Sequence, residues 1–478
     1  MNFKRKFWLA QHRTDVYKYG TILSLILIVT ISIIYFTYSK FSSSNEMTMY
    51  DTTVEPSSKN NDFIASYIDG EWSNEIPGKN DGYIVDKIVC DNGAVGTWDY
   101  NDWEIRISNA TKKTKCSLFF VTGSLIDVEL YQGLIPVTYN SSGDVVVADA
   151  NTKWYDYSNH EWANAVLVNC ANSAIKSKYF NDDMSLKSSA VGKTISMDEI
   201  LQMYVYIPRY RYKLFNAENR TSVEQAIEIE FEPKSTPKSN GSRDGEWLTH
   251  PAFTFGNTEL PGFWAAKFEA SGSTDNYQIK PNQKSLTSIN LATMYNTSRS
   301  TILNASKYGL NNNVDTHMMK NMEWGAIAFL TNSIYGRYNA ASTCIASGCE
   351  VWINNINTGY GNGTVVDGQP QWGPSITGCA GSSTSAGVSN SQTACASGYD
   401  WKTKGVNAST TGNQYGIYDM SGGAWEYVMG VQKDSSGNVQ VASSGFSTSS
   451  LPDSKYYDLY DYQAEDGVGY TISSRRRN

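Results

Sequence analysis

The sequence predicts an α+β protein in which a single N-terminal transmembrane helix is followed by β-rich modules and a larger mixed domain. Three observations lead there. Residues Tyr19 to Ser39 carry no charged side chain. From about residue 62 onward, short β-branched and aromatic runs alternate with Gly and Asn, the pattern of antiparallel strands and turns. Near 316–331, apolar residues recur at helical spacing.

The N-terminal run is centred on Ile22-Leu23-Ser24-Leu25-Ile26-Leu27-Ile28-Val29. At a rise of ~1.5 Å per residue, a run of this length spans a hydrocarbon core of ~30 Å. Lys4, Arg5, Lys6, Arg13 and Lys18 precede it, and Glu46, Asp51 and Glu55 follow. The positive-inside rule then places 1–18 in the cytoplasm and the bulk outside, an expected localisation of single-pass cell-membrane protein. A cleaved signal peptide would have a shorter apolar region, and Ser42-Ser43-Ser44 is a weak cleavage site. A type IV prepilin leader needs Glu where Leu25 stands.

Composition narrows the function classes. Charged residues make up 18% and aromatics 13% of the 478 residues, with 32 Tyr, which excludes a disordered charged tail. A mean hydropathy of -0.41 with one long apolar run excludes a polytopic membrane protein. The net charge is -8, and the first 40 residues are basic, so the remainder is more acidic still. An acidic body argues against nucleic acid as a partner.

The segments then follow in order. Residues 40–61 are polar and read as a linker. Residues 62–122 read as a small β module, with a strand at Tyr83 to Cys90 and further strands around Trp103 to Ile107 and Cys116 to Phe120. Residues 123–195 read as a second β-rich module, in which Asn140-Ser141-Ser142-Gly143 joins two strands as a hairpin. The last domain is 196–478. Ser196-Met197-Asp198-Glu199 predicts a capped short helix from Ile200 to about Met203. A strand from Tyr204 to Lys213 follows, with Tyr204, Tyr206, Tyr210 and Tyr212 on one face and a solvated basic face of Arg209, Arg211 and Lys213. Asp315 is expected to cap a helix over 316–331, whose Met319, Met322, Ala326 and Phe329/Leu330 form a core stripe. Residues 339–415, rich in Ser, Thr, Gly and Asn, read as long ordered loops.

Seven cysteines are present. Proximity suggests Cys90–Cys116, Cys344–Cys349 and Cys379–Cys395, with Cys170 free, although connectivity does not follow from sequence. Disulfides fit a compartment outside the cytoplasm. A zinc site is the other reading, against which the spacing and the lack of a nearby His count. The sequence holds no His-Glu-x-x-His, no Gly-x-Ser-x-Gly and no phosphate-binding loop.

The most specific stretch is Gly416-Ile417-Tyr418-Asp419-Met420-Ser421-Gly422-Gly423-Ala424-Trp425-Glu426-Tyr427-Val428. Its two carboxylates flank a glycine turn, an arrangement suited to a hard cation such as calcium. The competing reading is that backbone N–H groups satisfy both carboxylates. The stretch resembles the Gly-Leu-Tyr-Asp-Met-x-Gly-Asn-Val-Trp-Glu-Trp-Val signature of the formylglycine-generating enzyme (sulfatase-modifying factor) family. Softer echoes stand in the family's order at Val205-Tyr206-Ile207-Pro208, at His250-Pro251-Ala252-Phe253, at Gly262-Phe263-Trp264-Ala265-Ala266-Lys267-Phe268-Glu269 and at Met322-Glu323-Trp324-Gly325-Ala326.

The resemblance covers about 200–430. It implies a C-type-lectin-like fold for 196–478, in the non-catalytic branch of bacterial or phage surface proteins. It also implies calcium bound by the side chains of Asp419 and Glu426 and the carbonyls of Gly422 and Ala424. The family's catalytic members carry a copper-binding cysteine pair after the Trp-Glu-Trp motif, whereas no Cys follows Cys395 here. The closing Arg-Gly-Gly-Ser-Trp and Gly-Phe-Arg strands have no counterpart, which implies a domain truncated at its C-terminus or finished in another way. The function expected is a membrane-anchored bacterial surface protein, held by residues 19–39, that displays a non-catalytic lectin-like domain to an extracellular glycan or protein. The alternatives are an oxidoreductase of the formylglycine-generating type using Cys344 and Cys349, and a pseudopilin or phage-derived structural protein.

Overall fold

The computed structural model describes residues 63–462, apart from 69, 79–82, 100–102, 110–112, 123–125, 127, 153, 215–224, 235–239, 242–244, 312–313, 355–364, 367–368, 371–373, 385–393, 396–397 and 425. The chain divides into two compact units, Met1–Ser124 and Leu125–Asn478.

In the first unit four strands pair antiparallel in the order Glu71–Trp72, Phe63–Ile68, Lys115–Thr122, Tyr83–Cys90. Leu118 and Phe120, two apart on the third of these, are buried with Ala65 and Val85, as alternation along a strand requires. Cys90 and Cys116 face each other in register and are joined by a disulfide. A hairpin of Val95–Asp99 and Glu104–Ser108 carries Trp98, whose ring meets Trp103 at 5.2 Å and Phe120 at 5.4 Å. Gly96 permits this packing, since a Cβ there would lie 2.6 Å from Ile88 and 2.8 Å from the Cys90 sulfur.

In the second unit five antiparallel strands run in the order Gly262–Ala266, Ile200–Pro208, Asn164–Val168, Ile135–Tyr139, Val145–Val147. The predicted hairpin closes on Asn140, whose side-chain oxygen accepts from the N–H groups of Ser142 and Asp144, both at 2.9 Å. Because Asn164–Val168 pairs with Ile200–Pro208, the strands between 135 and 168 share one sheet with Ile200–Pro208 and Gly262–Ala266.

Three expectations for this unit are corrected. Ile200 opens a nine-residue strand, not a short helix, because the run Ile200 to Pro208 is apolar on both faces and pairs on both edges. The basic face expected of Arg209, Arg211 and Lys213 is solvated only at Lys213, which pairs with Glu228 at 3.3 Å. Arg209 and Arg211 are buried, Arg209 between Glu232 (3.0 Å) and Glu259 (2.6 Å), and Arg211 against Glu230 (3.1 Å). The predicted helix over 316–331 begins instead at Asn321 and ends at Thr331. Glu323, three residues past Lys320, takes the Lys320 backbone N–H at 2.8 Å, so the first turn closes there. Asp315 pairs with Arg299.

The transmembrane part of the predicted fold is likewise corrected. Among the described residues no helix is long and apolar enough to cross a membrane. The 13-residue Leu291–Leu303 is only about 20 Å long at ~1.5 Å per residue, short of a ~30 Å hydrocarbon core. The segments 1–18, 19–39 and 40–61 lie outside the described residues. The fold observed is mixed and sheet-rich with few helices, and the single-pass membrane localisation is withdrawn.

All three suggested disulfides form, Cys344–Cys349 and Cys379–Cys395 in this unit, and the buried Cys170 stays free. The long loops after residue 339 gain order from Arg337. Its fully buried guanidinium donates to the carbonyls of Gly348 (3.1 Å), Glu350 (2.8 Å) and Ser409 (3.1 Å).

Candidate functional site

The strand Gly262–Ala266 delivers Lys267, Phe268 and Glu269 into the second unit's interior, where they meet the motif at 416–426. Tyr418 donates its backbone N–H to the Lys267 carbonyl at 2.8 Å. The fully buried Lys267 ammonium donates to Asn164 Oδ1 (2.8 Å) and to the carbonyls of Gln414 (2.6 Å) and Gly416 (2.7 Å). Burial pushes its pKa well below the usual lysine range, against these three acceptors. Lys267 thus clamps the chain just before Tyr418 and Asp419.

Glu269 completes the junction. Its Oε1 accepts from the Ala424 N–H (3.1 Å) and its Oε2 from the Ser375 hydroxyl (2.8 Å). Its own N–H donates to Asp419 Oδ2 at 3.1 Å. Asp419 Oδ1 also accepts from the Gly378 N–H (2.9 Å) and from Asn354 Nδ2 (2.8 Å). Gly423 makes room for Glu269, because a Cβ at this left-handed position would lie 2.7 Å from Glu269 Oε1. Burial raises the Glu269 carboxyl well above its ordinary range, and the charges of Asp419 and Glu426 raise it further. Burial lifts Asp419 to about 7 despite its N–H donors. Burial and then Asp419 lift Glu426 to about 7, opposed by a hydrogen bond from the Trp324 side chain. Among the described residues, no Lys, Arg or His forms an ion pair with any of the three.

These groups stand beside a cavity of about 470 Å³. Glu269 and Glu426 line it, with Phe263, Trp264, Trp324 and Tyr418 among its aromatic walls. Glu426 keeps an exposed surface because the space it faces is cavity. Tyr427, 57% exposed, also lines it, so this stretch forms part of the rim.

A second acidic group lines the same cavity and is built differently. His317 lies 3.1 Å from Glu323 and 3.7 Å from Asp315, and its ring stacks on Phe255 at 4.9 Å. Burial pulls the imidazole down, but Glu323 and Asp315 outweigh it and lift the pKa to about 9. Lys320, fully buried, holds its ammonium 3.7 Å from Glu323. Asp315 also takes Arg299 and Lys455 and the Tyr456 hydroxyl (2.8 Å). Burial acts to raise Asp315, yet His317, Tyr456 and Arg299 bring it down to about 2.

Of the four predicted calcium ligands, Asp419 is buried and both of its oxygens accept N–H groups. Ala424 gives its N–H to Glu269, Gly422 packs against Ile353 and Asn354, and Glu426 faces the cavity. Among the described residues no three His, Cys, Asp or Glu side chains are placed to hold a metal ion together. Trp425, read with the motif, lies outside the described residues. The sequence reading missed Lys267 and Glu269 as partners of the motif, and His317 with Asp315 as a charged group of the cavity. The stretch Lys267-Phe268-Glu269 was the available signal, since two charges inside an otherwise apolar strand need buried partners. No protein-family model matches the chain, and no curated protein matches it either.

Proposed function

We propose that this is a non-catalytic ligand-binding protein working outside the cytoplasm, and that the cavity of the second unit receives the ligand. The carrying observation is a cavity of about 470 Å³ with mainly apolar and aromatic walls and a few converging polar groups. That is the usual make-up of a small-molecule site. Three disulfides support a non-cytoplasmic setting, since they persist in oxidising compartments. The oxidoreductase alternative needs Cys344 and Cys349 as free thiols, and here they are bonded to each other. The resemblance to sulfatase-modifying factors rests on the motif residues themselves, which here build the wall of the cavity.

The test is saturation-transfer NMR on the full chain with indole as probe. Saturable transfer is expected, and it should be abolished in Met420→Trp, which places a large ring where Met420 lines the cavity. No transfer to wild type, or transfer unchanged in the variant, would overturn the reading.

A further inference from the structure

The cavity has a charge signature that its apolar walls do not require. Among the described residues, four carboxylates line it, Glu269, Asp315, Glu323 and Glu426, and His317 is the only basic residue in its lining. Asp315 and Glu323 are answered by Arg299, His317, Lys320 and Lys455. Glu269 and Glu426 have no ion-pair partner among the described residues. Glu269 is held by an N–H and a hydroxyl, and Glu426 by Trp324. Carboxylates without a cation, beside indole and phenol rings, form the kind of environment that attracts a desolvated organic cation.

Building on the cavity reading above, we propose that the ligand is an organic cation on an apolar or aromatic body, its charge held by Glu426 and Glu269 and its body by walls that include Trp264, Trp324 and Phe263. Charge complementarity selects this class. An anion would meet Glu426 and Glu269 with no cation beside them, and a neutral apolar molecule would leave that pair without a counter-charge. Glu426, beside the exposed Tyr427, would meet an entering cation first.

Three probes of similar size separate the possibilities, measured by calorimetry on the full chain. They are benzyltrimethylammonium, the neutral 2-methyl-1-phenyl-2-propanol, and phenylacetate. The cation is expected to bind about tenfold or more tightly than the neutral probe, with phenylacetate weakest. Glu426→Gln and Glu269→Gln should each remove most of that preference while leaving the neutral probe's affinity in place. Circular dichroism checks the fold of both variants, and the cavity-facing Glu426→Gln keeps the test intact if Glu269→Gln fails to fold. Equal binding of cation and neutral probe, or a preference undiminished in both variants, would overturn the cationic ligand and leave the cavity reading standing. Failure of all three probes would remove the cavity reading as well.

Discussion

The two acidic groups of the cavity solve one problem in opposite ways. Asp315 and Glu323 are compensated by charge, with His317, Arg299, Lys320 and Lys455 placed against them. Glu269 and Asp419 are compensated by dipoles, with N–H groups of Ala424, Gly378 and Glu269, the Asn354 amide and the Ser375 hydroxyl. A cation neutralises a carboxylate. Dipoles orient it and leave its charge for something else to meet. The first group therefore reads as architecture around the start of the helix Asn321–Thr331, and the second as architecture that leaves its carboxyls without a counter-cation beside the cavity.

The largest expected effect lies on the charge-compensated side. Glu323→Ala strips partners from His317 and from the buried Lys320 and frees the Lys320 backbone N–H. Breaking a buried pair this way costs about 3–5 kcal/mol. The urea midpoint of the full chain should fall accordingly, and a loss under 1 kcal/mol would mean that Glu323 is not the keystone of this group. On the dipole side, Asp419→Asn keeps the shape but turns an amide N–H₂ toward N–H donors. Leaving one buried donor unmet costs about 1–3 kcal/mol, again read from the urea midpoint.

How far the sequence revealed this arrangement depended on range. The hairpin at Asn140 to Gly143 was legible because its turn residues carry their own local hydrogen bonds. The disulfides were legible because proximity along the chain is a fair guide for separations of 5 to 26 residues. The Glu269 to Asp419 contact spans 150 residues, and nothing local in either stretch names the other. Ile200 misled because Ser196 to Glu199 looks like a helix start, while sheet pairing on both edges decides the outcome. Arg209 and Arg211 misled because alternation says which face a residue takes, and not whether Glu232 or Glu230 waits there.

Gly423→Ala tests whether the dipole side depends on close approach. The backbone is left-handed (φ +70°), and the new Cβ would press on Glu269 Oε1. Strain of this kind costs on the order of 1–2 kcal/mol. The loss should shrink when Glu269 is shortened in the double variant Gly423→Ala/Glu269→Ala, measured as a thermodynamic cycle by urea denaturation. Full additivity would detach Gly423 from Glu269.

The smallest effect has the most informative sign. Glu426→Gln removes a carboxylate that Asp419 repels, so at pH 8 stability should hold or rise by no more than about 1 kcal/mol, a figure reduced because water in the cavity screens the charge. Its pH dependence sharpens the contrast. Carboxyls raised in the folded state, to about 7 for Glu426 and Asp419, bind protons that the unfolded chain has already released. Their contribution is complete below about pH 4 and is lost as pH rises through about 7. His317, raised to about 9, acts in a separate window: its contribution is complete below about pH 6.5 and is lost as pH rises through about 9. Urea midpoints measured from pH 4 to pH 10 should therefore show two declines. Glu426→Gln should shrink the first, leaving the share that burial gives Asp419, and leave the second unchanged, and His317→Gln should flatten the second and leave the first. One decline flattened by both variants would mean that the two acidic groups titrate as a single cluster.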